Sequence, residues 1–199
     1  MQNVKEMPKE PHRLIQVGAL SAQKRVALTI RAVAALKERF SDISLVLVGS
    51  GDKREELEML CKELGIEERV AFLGQCPNAQ VLEEMAKSQI FVMPSVNEGF
   101  GIVYLEAMAS SCVTVGTKGE GICDLIEHGK NGCLVEPDNV QSITETVAFC
   151  IENAALTSTW AEQGRRDAMR LTWAYNAEQY VALFQEKRIS VGADTASCN

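Results

Sequence analysis

The feature that most restricts this chain is a rhythm. Short apolar, β-branched runs alternate with longer stretches of helical period, and glycine- or proline-bearing turns separate them. The runs Leu14–Val17, Ser44–Val48, Val70–Leu73, Ile90–Met93, Val113–Val115 and Cys133–Val135 read as strands. The first, second and fourth are almost continuously apolar, which suits strands covered on both faces of a parallel sheet. Helices are predicted between them. Val26 to Phe40 carries Val26, Ile30, Val33 and Ala34 on one stripe, and Lys53 to Leu64 ends at Gly65, a residue suited to a helix stop. Gln80–Ser88, Gly101–Ala109 and a short stretch around Cys123–His128 follow. Pro137-Asp138-Asn139 offers a cap to a helix over Val140–Asn153. Two more helices, Thr157–Leu171 and Tyr175–Lys187, come without an intervening strand.

Alternation of this kind favours right-handed βαβ crossovers. The expected fold is α/β: a single doubly wound, Rossmann-like domain with a parallel sheet of about six strands. It would occupy residues 13–187, after a polar linker over 1–12 and before a small, polar, flexible tail over 188–199. A chain of 199 residues is a one-domain length. It buries roughly 70% of its unfolded surface, enough for a substantial core.

The formal charge of −7 argues against a nucleic-acid or anionic-membrane partner, though not against a local basic pocket. No apolar run reaches the ~18 residues that span a bilayer. Residues Met1–Pro11 lack the apolar core of a signal peptide, so a cytoplasmic location is expected. The seven cysteines form no CxxC pair, and several lie in apolar runs, which reads as reduced, mostly buried thiols.

In a doubly wound sheet, ligands bind at the carboxyl ends of the strands, so the loops there are searched first. After the first strand, Gly18 permits a tight turn with open amides, Lys24 adds a cation, and the helix from Val26 aims its N-terminus at the crevice. An ordinary loop with solvated basic residues is the plainer alternative. After the second strand come Gly49 and Gly51, a weak dinucleotide signal because Arg54 breaks GxGxxG, and a structural turn explains them as well. The richest stretch runs from Pro94 to Ala109. Gly99 and Gly101 bracket Phe100, a helix begins near Gly101, Glu98 stands at the mouth, and Glu106 lies more than a turn inside. Amides and a lysine suit phosphates, whereas carboxylates repel phosphates and accept from sugar hydroxyls. Together they suit a nucleotide-sugar, although Glu98 near a helix start and Glu106 on a solvated face have structural explanations too. Gly121, after the fifth strand, could expose another amide or belong to a plain loop.

Other chemistries find no support. His12 and His128 adjoin no nucleophile, and GxSxG, Asp-x-Asp and the phosphate-loop pattern GxxxxGK[ST] are absent. A generic dinucleotide-binding domain lacks its GxGxxG.

The run from Glu98-Gly99-Phe100-Gly101 to Glu106-Ala107-Met108-Ala109 resembles the E-x7-E motif of the glycosyl transferases group 1 family, the retaining family four of GT-B fold enzymes. Val17-Gly18-Ala19-Leu20 with Lys24, Leu47-Val48-Gly49-Ser50-Gly51, Gly121-Ile122-Cys123-Asp124 and Gly129-Lys130-Asn131-Gly132 resemble further family segments in the same order. The resemblance covers about Arg13 to Lys187 and implies the C-terminal, donor-binding half of a GT-B fold. By it, Lys24 would contact the donor diphosphate and Glu98, at the catalytic position, would hold hydroxyls of the transferred sugar. The amides of Phe100, Gly101 and Ile102 would lie near sugar and phosphates, and Glu106 would bind ribose. It implies a UDP-, GDP- or ADP-linked donor, no metal or other cofactor, and retention of configuration.

The chain departs from the pattern in places. Ala19 replaces the usual arginine, Arg25 the usual glycine after the lysine, Cys123 a proline and Asp124 a glutamate. Arg25 is expected to compensate in part for Ala19 as a phosphate cation. The family also has a first Rossmann-like domain that carries the acceptor site. Its partner role here falls to a missing N-terminal domain, and the chain alone is expected to bind donor weakly and transfer little or no sugar. A full-length enzyme could associate peripherally with a membrane, and the face left bare could make the fragment a homodimer. The alternatives are a non-catalytic nucleotide-sugar-binding module that needs a partner chain, or a related GT-B nucleotide-sugar epimerase.

Overall fold

The structure is a computed structural model and describes residues 7–97, 99 and 101–171. Strands β1 (Glu10–Val17), β2 (Ser44–Val48), β3 (Val70–Gly74), β4 (Ser88–Val92), β5 (Val113–Thr117) and β6 (Cys133–Val135) form one six-stranded sheet in the order β3-β2-β1-β4-β5-β6. Every pairing is parallel. The order reverses between β1 and β4, so the crevice of a doubly wound sheet opens beyond the carboxyl ends of these two strands.

The helices are α1 (Val26–Leu36), α2 (Arg54–Glu63), α3 (Asn78–Lys87), α4 (Ile102–Ala109), α5 (Val140–Glu152) and α6 (Ala154–Arg170). Side chains alternate across each strand, so the sheet feeds two cores. Leu14, Leu45 and Leu47 join Ile30 and Val33 of α1 and Ile143 and Val147 of α5. Ile15, Val46 and Val48 join Met85 of α3 and Tyr104 and Met108 of α4. The uninterrupted apolar runs in the sequence thus have their physical cause: both faces are covered. At ~25 cal/mol per Å² of apolar area, each fully buried Leu or Ile contributes about 2 kcal/mol.

Several boundaries differ from the sequence expectation. β1 starts at Glu10, inside the stretch expected to be linker. His12 takes a φ of 56° there and its N–H donates to Gln89 Oε1 at 2.8 Å. The β1–β4 register shifts between Glu10 and Leu14, a bulge that a polar Glu-Pro-His-Arg sequence conceals. α1 stops at Leu36 rather than Phe40, and α6 begins at Ala154 rather than Thr157. Ser88, expected at the end of α3, opens β4 instead. The short helix expected around Cys123–His128 is a 3-10 turn at Gly121–Asp124. Asn139 caps α5 as expected, its side chain accepting from Ser142 N–H at 2.9 Å. The helix expected over Tyr175–Lys187 and the tail lie outside the described residues.

Of the described cysteines, Cys61, Cys112, Cys133 and Cys150 are buried, Cys76 is partly buried and Cys123 is exposed. Burial pushes the Cys61 thiol up to about 11, as removal from water disfavours a thiolate.

Candidate functional site

At the carboxyl edge of the sheet, two glycine loops lock together. Gly18 N–H donates to Val48 O at 2.9 Å and Leu20 N–H to Ser50 O at 3.0 Å, while Lys53 N–H returns to Leu20 O at 3.1 Å. Gly49 N–H donates to Gly74 O at 2.7 Å. A Cβ on Gly49 would lie 1.9 Å from Gly18 O, and one on Gly51 would lie 2.3 Å from Leu20 O. Gly49 and Gly51 are therefore required by the close approach of two backbones, the structural reading of that turn. The amides of Gly18 and Gly49 also serve the fold, which corrects the expectation of an open-amide turn at Gly18.

Lys24 ends a 3-10 turn, Ala22–Lys24, in the β1–α1 loop. Its aliphatic chain lies over Gly18, with Cε 3.4 Å from where a Cβ would be. Buried Gln16 holds the Lys24 carbonyl at 2.8 Å. Arg25 stands between turn and helix in the left-handed region, φ 50° and ψ 33°. Its guanidinium meets both carboxylate oxygens of Asp138, at 2.5 and 3.3 Å, and the Ala22 carbonyl at 2.6 Å. The side chain is thus held in a clamp between the α1 and α5 entry loops, a contact that the expectation of a phosphate cation did not include. Ala19 is exposed and brings no charge.

The loop after β4 carries most of the remaining chemistry. Tyr104, fully buried, donates to Met93 O at 2.7 Å and lies 3.4 Å from the Ser95 hydroxyl. These bonds fix α4 against the end of β4. Gly101 precedes the helix with φ 63°, a conformation glycine tolerates. Among the described residues no side chain caps α4, and its first turn holds no acidic residue, so its leading amides and positive dipole end favour an anion. Ile102, at the entrance, is 71% exposed, and a Cβ on Gly99 would meet nothing within 4 Å.

Glu106 lies one turn in, on the same face as Ile102. It is half-buried, and no hydrogen bond or ion pair engages its carboxylate among the described residues. Desolvation raises its pKa above the ordinary value. A carboxylate held this way gains from accepting hydroxyl hydrogens. Glu98 and Phe100 lie outside the described residues. Gly121 opens the 3-10 turn after β5, where Gly119 N–H points to Cys123 Sγ at 3.2 Å.

Gln16, Gln23, Tyr104 and Asp138 were not singled out as site residues in the sequence. Gln23 spans two loops: its carbonyl accepts from Val96 N–H at 3.1 Å, and its Nε2 donates to Asn97 O at 2.8 Å. The only local signal was its place beside Lys24. A cavity of about 540 Å³ opens elsewhere, between the segment containing Lys9 and His12 and α6 from Ala154 to Arg165, at the amino-terminal end of the sheet. Its walls include none of the glycine loops.

The family model of the glycosyl transferases group 1 matches residues 1–167. The chain belongs to this family. An uncharacterized glycosyltransferase of Methanocaldococcus jannaschii is 35% identical over 174 residues, 86% of this chain and 44% of that protein. Among solved structures, Anabaena HepE in complex with UDP and glucose superposes with a TM-score of 0.78 at 28% identity, covering 89% of this chain and 48% of that one. The C-terminal domain of the group 1 glycosyltransferase LpcC from Francisella tularensis gives 0.73 at 26% identity, covering 83% of this chain and 87% of that domain. This group 1 glycosyltransferase chain thus spans less than half the length of the first two and most of the isolated domain. Its sheet and helices are those of one Rossmann-like half of a GT-B fold. Among the described residues, no helix is long and apolar enough to cross a membrane.

Proposed function

We propose that this chain is the donor-binding half of a retaining, metal-independent glycosyltransferase, and that its ligand is a nucleotide-sugar. The observation that carries this reading is the conjunction at α4: leading amides, and a half-buried Glu106 one turn behind them, none of them engaged by a side chain among the described residues. The amides of Ile102 and Val103, with the ammonium of Lys24, would neutralise the diphosphate, which is the work a divalent cation does in other sites. Glu106 would accept from the ribose hydroxyls. The family resemblance gives Glu98 the hydroxyls of the transferred sugar, and Gly121 would offer its amide nearby. HepE was solved with UDP, so a UDP-linked donor is the first to try. The acceptor would be held by a partner domain, and the chain alone would transfer little or no sugar.

The test is a thermal-shift panel of UDP, GDP, ADP and their sugars in the presence of a chelator. A ligand at 100 times its Kd stabilises by about 2.7 kcal/mol. A shift with one nucleotide class, lost in Lys24→Ala and Glu106→Ala, is the expected result. A shift that needs a divalent metal would overturn the metal-independent part, and steady sugar transfer by the chain alone would overturn the half-enzyme part. A non-catalytic binding module is the second reading, favoured by one observation: Ala19 lacks a charge and Arg25 is held by Asp138. Donor binding without hydrolysis or transfer, even with the matching first domain supplied, would select it.

A further inference from the structure

The middle residue of the 3-10 turn Ala22–Lys24 does more than fill a loop. Gln23 is polar and exposed, and an unconstrained glutamine at such a place would extend into water. Instead it is engaged at both ends. Its backbone carbonyl accepts from Val96 N–H at 3.1 Å, and its side-chain amide reaches Asn97 O at 2.8 Å. The partners lie far along the chain, Asn97 74 positions away, and are the two residues immediately before Glu98. Asn97 takes φ 53°, the left-handed conformation that asparagine tolerates better than most residues and that turns the chain sharply there. On its other side, Lys24 follows Gln23 directly, and its carbonyl is fixed by Gln16 at 2.8 Å.

We propose that Gln23 is a positioning residue that couples the phosphate-side lysine to the sugar-side loop of the donor site. The inference rests on the donor-site reading above. A loop that begins at β4 and ends at α4 is fixed at its roots by Tyr104, but its outer turn has no strand to pair with. Gln23 supplies that turn with a backbone partner and a side-chain partner from a neighbouring loop. Breaking the side-chain bond leaves Lys24 and α4 in place and releases the turn that leads to Glu98. Nucleotide binding should persist, and the added affinity contributed by the sugar should fall.

Gln23→Glu is the informative variant, because it keeps the shape and replaces the donor with an acceptor that repels the Asn97 carbonyl. Gln23→Ala is the second. Dissociation constants are measured for UDP with UDP-glucose, GDP with GDP-mannose, and ADP with ADP-glucose, and hydrogen exchange of the Val96–Gly101 amides is followed without ligand. The expected result is a nucleoside diphosphate constant within twofold of wild type, a sugar-dependent gain reduced about fivefold to tenfold, as one hydrogen bond allows, and faster exchange in that loop. Unchanged exchange together with an unchanged gain would overturn the proposal. Equal weakening of diphosphate and sugar forms would also overturn it, since that is loss of structure and not of positioning. If wild type binds none of the six probes, the donor-site reading falls and this inference with it, whereas wild-type binding with an indifferent variant removes only the role of Gln23.

Discussion

At the scale of single residues, the glycines separate into two kinds that look alike in the sequence. Gly49 has φ 132° and would place a Cβ 1.9 Å from a carbonyl oxygen. Gly49→Ala is therefore expected to destabilise by roughly 3 kcal/mol or more in urea unfolding, through backbone clash and strain. Gly99 has open space around its Cβ direction. Gly99→Ala should change stability by no more than about 0.5 kcal/mol, while lowering nucleotide-sugar affinity if the loop embraces the donor. Equal losses of stability in the two variants would contradict this distinction. Glu106 shows the opposite compromise. Burial raises its folded pKa above its unfolded one, so the folded state holds the proton more tightly. The stability tied to that proton is present at low pH and lost as pH rises through the ordinary carboxylate range and beyond. Glu106→Gln is expected to raise Tm at pH 7, to leave it unchanged near pH 3, and to weaken donor binding. A lower Tm at pH 7 would mean that the carboxylate has a stabilising partner.

At the scale of elements, the strands were legible because burial on both faces demands unbroken apolar runs, and all six were located from them. The start of β1 was not, since Glu10 to Arg13 is polar and a bulge at His12 carries the pairing. The entry to α1 was legible in position, but its long-range contact was not. Arg25 occupies a left-handed conformation and its side chain reaches a residue 113 positions away, a partner invisible to local pattern. Both groups of this ion pair are partly exposed, at 31% and 57%, so the pair is worth at most about 1 kcal/mol. Replacing Arg25 by glycine removes the pair and relieves the left-handed strain, two effects of similar size. Arg25→Gly should leave stability within about 1 kcal/mol of wild type and donor affinity unchanged. A tenfold fall in affinity would return Arg25 to the phosphate site.

At the scale of the whole molecule, the central strands contribute side chains to both cores at once, Leu14 to one and Ile15 to the other. Neither core can dissolve while the other keeps the sheet intact. Unfolding is expected to be a single transition, with far-UV circular dichroism and tryptophan fluorescence coincident; separated midpoints would show that the two layers unfold independently. The sequence by itself determined the α/β class, the six strands and the family, because hydrophobic period and the order of glycine and glutamate motifs are local properties of the chain. Only the tertiary structure decided which glycines hold the backbone together, that Arg25 reaches Asp138, that Gln23 joins two loops, and that no side chain among the described residues engages Glu106. Each of these depends on the approach of segments distant in sequence, and a chain read in one dimension carries the residues but not the distances between them.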